Sequence, residues 1–120
     1  MKPVDAANDA AEAVRTLIHL TFDPDAYVRP ADVDAVLHGL LVAVQRLPQA
    51  LTQAERWLDA AHVAGRVGHD QGDEVTETVH NVLGDLERAG REAREPALTL
   101  ESAVGNSGHL TGVTPKAGAQ

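Results

Sequence analysis

Two stretches of the sequence have the spacing of metal chemistry. Glu77-Thr-Val-His80 sets a carboxylate and an imidazole three residues apart, the interval at which ferritin-like bundles present a Glu-x-x-His pair to a di-metal centre. Asp59-Ala-Ala-His62 mimics the pattern on the preceding predicted helix. An interior metal needs both members of each pair to face inward. At about 100° per residue, Glu77 falls almost opposite the apolar seam of its helix, with His80 a quarter-turn or more away, and Asp59 points outward although His62 flanks its seam. Asp59, His62, Glu77 and His80 are therefore the alternative metal set, and the expectation is two solvated faces with no metal and no cofactor.

The remaining reactive side chains assemble no site. His69, Asp70 and Asp73 share a glycine-rich turn but lack the alternating oxygen ligands and distal glutamate of a calcium loop. Neither a Gly-x-Gly-x-x-Gly nor a Gly-x-x-x-x-Gly-Lys phosphate cradle is present. Ser102 and Ser107 are the only serines, and neither has an ordered base and orienting group. His19 and His38 lie off their helical seams. The chain has no cysteine, which removes a thiol nucleophile, thiolate zinc and iron-sulfur ligation, and suits a reducing compartment. A non-enzymatic protein is expected.

Residues suited to a protein partner are easier to find. Trp57, the sole tryptophan, stands beside Arg56 and flanks a seam containing Leu51 and Leu58. That apolar edge is a candidate dimer anchor, since buried aromatics dominate interfaces. Phe22 and Tyr27 lie in a loop where they either plug the end of a bundle or add to a recognition surface.

The elements that must carry these residues are helices. Val4, Ala7, Ala11, Val14, Leu17 and Ile18 follow three-and-four spacing and predict a first helix over about 5–20, weak and alanine-lined in its first half. Pro24 and Pro30 then impose a crossing loop, and Pro30 with Asp32 and Asp34 opens a second helix. Val33, Val36, Leu37, Leu40, Leu41, Val44 and Leu47 make its stripe the widest in the chain. Pro48 either starts a third helix or kinks one long helix; the seam continues through Leu51, Ala54, Leu58 and Ala61 to about residue 66. Three glycines between 65 and 72 then mark a turn, with Asp73 expected to cap a fourth helix through Val79, Leu83, Leu86 and Gly90. The short connection makes the flanking helices antiparallel. Pro96 is expected to kink this helix, which continues for a turn or two to Val104.

Composition fits one small domain. The 120 residues include 18 acidic and 10 basic side chains for a net charge of −8, and aromatics make up 2%. Leu, Val, Ile and Phe number 29, close to a quarter of the chain and above the roughly 20% at which chains stay disordered. The acidic surface and few stacking rings argue against direct nucleic-acid binding. No apolar run reaches the length of a secretion signal or a membrane span, so no membrane association and a cytoplasmic location are expected. Beyond Pro96 only Glu101 and Lys116 carry charge. The expected organisation is a helical bundle over 1–104 and a disordered tail over 105–120.

Leu47-Pro-Gln-Ala-Leu51, Arg56-Trp-Leu58, Gly65 and the Gly-His-Asp-Gln-Gly-Asp73 turn before an Ala/Glu/Arg helix resemble small, uncharacterised helical proteins of Streptomyces-type actinobacteria. The likeness covers about residues 31–104 and implies an architecture and a source, with no activity attached. A looser similarity to the helical-hairpin substrates of type VII secretion fails at the turn, where Gly65-Arg-Val-Gly68 replaces Trp-x-Gly.

The reading is thus an all-α, antiparallel up-and-down bundle of about four helices with a disordered C-terminal tail. It is expected to act as a non-catalytic interaction or regulatory accessory protein, through a protein partner or as a homodimer. Two alternatives are a metal-binding bundle and an acidic mimic of nucleic acid that occupies a DNA-binding partner.

Overall fold

The computed structural model describes residues 1–115, and among them the only regular elements are helices. They are α1 (Pro3–Leu20), α2 (Pro30–Val63), α3 (Thr76–Glu92) and α4 (Arg94–Ser107). Ala93, the one residue between α3 and α4, keeps helical backbone angles of −64° and −19°. The last two segments therefore form one rod, and the chain has three rods. Residues 116–120 of the expected tail lie outside the described residues.

Pro48 does not end a helix. α2 runs through it for 34 residues, about 51 Å at 1.5 Å per residue. A proline inside a helix removes one backbone hydrogen bond and crowds the preceding turn. Here the loss falls where α2 meets Gly90, whose added Cβ would stand 3.9 Å from the Pro48 Cα. The helix is held across its weak point by the rod packed on it. Pro96 lies in the first turn of α4, where its missing N–H costs little. The sequence predicts a kink at Pro96; the interruption lies three residues earlier, at Ala93, between α3 and α4.

α2 and the α3–α4 rod pack antiparallel as a long hairpin. The apposed pairs His62 with Thr76, Pro48 with Gly90 and Asp34 with Ser107 give the register from tip to base. The turn at the tip is made by glycines. Gly65, at φ 73°, ends α2 in a Schellman motif: its N–H donates to the His62 carbonyl, and the Arg66 N–H donates to the Ala61 carbonyl at 2.9 Å. Gly72 is also left-handed, at φ 73°, and closes a tight turn onto the His69 carbonyl. Gly68 needs no such conformation. At α3 the expected cap by Asp73 is replaced by Glu74, whose carboxylate accepts the Thr76 N–H at 3.0 Å.

The base is tied by side chains. The Ser107 hydroxyl donates to Asp34, whose other oxygen lies 3.5 Å from His38 Nε2. This contact lies at the end of α4, three residues past the expected bundle boundary at 104. At the head of α2, Asp32 accepts the Arg29 N–H at 3.0 Å and the Arg29 guanidinium at 3.1 Å. Those bonds, the backbone one foremost, hold its carboxyl below its ordinary pKa.

The core is narrow. Among the apolar side chains of the described residues only Leu41, Ala61, Val79 and Ala97 are buried, all in the hairpin seam. α1 stands apart: none of its residues is buried, and none of its Cα atoms comes within 8 Å of one in α2, α3 or α4. The radius of gyration is 20.8 Å, against roughly 13.6 Å for a compact domain of this length. A packed four-helix bundle is not formed by the single chain.

Candidate interaction surface

The tip of the hairpin brings together two of the four residues considered for metal. The His62 and His80 rings meet edge to face with centroids 6.1 Å apart, and His62 Nε2 lies 3.3 Å from the Thr76 hydroxyl. That hydroxyl in turn donates to Glu74 Oε1 at 2.7 Å. The Thr76 hydroxyl, and then its backbone N–H, hold the Glu74 carboxyl below its ordinary pKa. Asp59 and Glu77 are exposed. Among the described residues no three His, Asp or Glu side chains gather where a cation could sit. The geometry at the tip caps α3 and staples it to α2. Spacing within one helix could not reveal the histidine contact, because it depends on how α3 is rotated against α2.

The five residues considered for partner binding separate into four places. Leu51 and Leu58 are half-buried on α2, on which only the α3–α4 rod packs. Trp57 is 64% exposed, and its ring lies 6.0 Å from the Arg66 guanidinium carbon, a cation–π contact. Phe22 is 90% exposed, whereas Tyr27 is half-buried in a hollow with Pro30 and Leu110 near the base. Trp57 and Tyr27 lie near opposite ends of α2, about 40 Å apart by helical rise.

Sequence reasoning did not identify one strongly apolar concavity. α1 and the first half of α2 face each other across a groove of about 540 Å³. Ala10, Val14 and Leu17 line one wall; Leu40, Ala43 and Leu47 line the other. No ionisable side chain takes part in the lining. A signal for it lies in the width of the α2 stripe. Leu41 is buried in the hairpin seam, while Leu40 and Leu47 line the groove, so the stripe is wide enough for two neighbours. A second neighbour is not in place. Helices in contact lie 8–10 Å apart between axes, with Cα atoms closer still where they touch, and α1 reaches no such approach.

The unfilled groove shows in the surface area. The chain exposes 9525 Å², whereas a compact monomer of its 12.7 kDa mass would expose roughly 6200 Å². Residues 108–115, all exposed, contribute part of the difference. α1 contributes another part, with Val4, Val14, Ile18 and Leu20 all exposed.

No protein-family model, curated protein or solved structure matches this chain. No helix among the described residues is long and apolar enough to cross a membrane.

Proposed function

We propose that this chain is a non-catalytic helical interaction protein of a reducing compartment that self-associates through apolar surface it cannot bury alone. The observation that carries this reading is the 9525 Å² of accessible surface on a 12.7 kDa chain, with one helix wholly unpacked. Apolar area left in water costs roughly 25 cal/mol per Å², and a second protein surface is the ordinary way to remove it. The antiparallel up-and-down bundle is, in this reading, completed only on association.

Sedimentation across the micromolar range tests it, combined with hydrogen exchange of the α1 amides. The expected result is a mass at a multiple of 12.7 kDa, with α1 exchange slowing as concentration rises. A strict monomer whose α1 amides exchange at the same rate at every concentration overturns it.

A further inference from the structure

The geometry points to a specific seam for that association: the α1–α2 groove receives α1 of a second copy, and the exchange is reciprocal. This rests on the self-association reading and adds which surface is used and what fills it.

Three observations converge on a second copy as the occupant. The first is that the walls are separate: no α1 Cα lies within 8 Å of α2, and the groove holds about 540 Å³. The missing part is therefore a layer of side chains and not a small void. The second is that α1 is itself an unpartnered apolar stripe, lined by Ala10, Val14 and Leu17 and free of buried residues. A helix that is both a wall of the slot and a match for its chemistry can be placed twice about a two-fold axis. Each residue contact then occurs twice, and the assembly closes. Alanines on the stripe let the backbones approach closely.

The third observation is area. The chain exposes about 3300 Å² more than a compact monomer of its mass. Permanent homodimers bury about 2000–5000 Å² in total; the excess here belongs in part to residues 108–115 and in part to α1, whose exposed Val4, Val14, Ile18 and Leu20 supply apolar surface for such an interface. Electrostatics allow the insertion. Asp5, Asp9 and Glu12 on α1 stay outside the groove wall, and no charged side chain has to be desolvated there. The product is a core of four helices, α1 and α2 from each copy, with the two α3–α4 rods on its flanks.

The full chain with single substitutions provides the test. Val14 and Leu47 are 47% and 49% exposed, so Val14→Glu and Leu47→Glu leave the hairpin seam untouched and helical circular dichroism should persist. Each is expected to weaken self-association at least tenfold in sedimentation. Trp57→Glu, outside the groove, is expected to leave it unchanged. A dimer that survives both groove substitutions overturns the seam while leaving self-association standing, and loss of the dimer with Trp57→Glu alone moves the seam to that residue. A wild-type monomer removes the reading beneath both.

Because the chain has no cysteine, a second measurement separates exchange from simple closure. Mixing chains bearing Val14→Cys with chains bearing Ala43→Cys is expected to give a disulfide-linked pair on oxidation. The two substitutions in one chain, if they yield only an internal bridge in a monomer, show α1 folding down on its own α2 and overturn the proposal. Uptake of a fatty acid by a monomeric wild-type chain, blocked by Val14→Glu, would instead assign the groove to a small apolar ligand and likewise overturn it.

Discussion

Asp32 and Glu74 do at the two helix starts what no N-cap residue does there: they accept the free N–H groups. Both carboxyls are held below their ordinary pKa, so protonation is disfavoured in the folded chain. The sign follows from linkage. Stability from these groups is complete above the ordinary carboxylate range and is lost as pH falls through the lowered folded values, below about pH 4. Asp32→Asn should lower the melting temperature at neutral pH, and the gap to wild type should close in acid melts. An equal gap at all pH values would mean the charge is irrelevant to the cap. Glycine positions divide by the same local logic. Gly90 has no positive φ and room for a methyl group beside Pro48, so Gly90→Ala should stabilise by about 0.5–1 kcal/mol in denaturant melts. Gly65→Ala should destabilise by a similar or larger amount, because the Schellman stop holds φ at 73°.

Helix identity was legible in the sequence, and helix partnership was not. The stripes from Val4 to Ile18 and from Val33 to Leu47 set the places of α1 and α2 because apolar periodicity is a local property. Pro48 was ambiguous, since whether a proline ends a helix depends on what supports it across the break, and Gly90 lies 42 positions away in sequence. The tip histidines were hidden for the same reason. α1 shows the limit most clearly: its stripe predicts that it needs a partner, and nothing in its own residues says whether the partner is α2, another chain or both. The base of the hairpin supplies an element-scale prediction. Ser107 is buried and donates to Asp34, so Ser107→Ala should cost about 1–2 kcal/mol and loosen the last turn of α4, seen as faster amide exchange there. Unchanged exchange at 104–107 would show that the turn holds without the tie.

For the whole molecule, charge and apolar surface act against each other. Each copy carries −8, while the groove proposed to join two copies is uncharged. Joining them brings like charges together outside the seam, so added salt should strengthen the dimer, most of the gain arriving once the screening length falls below about 10 Å near 0.1 M. An acidic mimic seated on a basic partner would show the opposite dependence. Sedimentation at low and high salt reads the difference directly, and weaker self-association at high salt would contradict an apolar seam.

Trp57 offers an optical consequence of its place in the fold. It is the only indole in the chain, exposed near the hairpin tip, with Arg66 above it from just beyond the glycine stop. Leu47, the edge of the groove nearest to it, is ten residues away along α2, about 15 Å by helical rise. Its emission should therefore be that of a water-facing indole, blind to events in the groove and responsive when the turn at 64–75 opens and carries Arg66 off the ring. The protein contains its own gauge for one end, so a titration that doubles the mass at constant colour would locate assembly at the other.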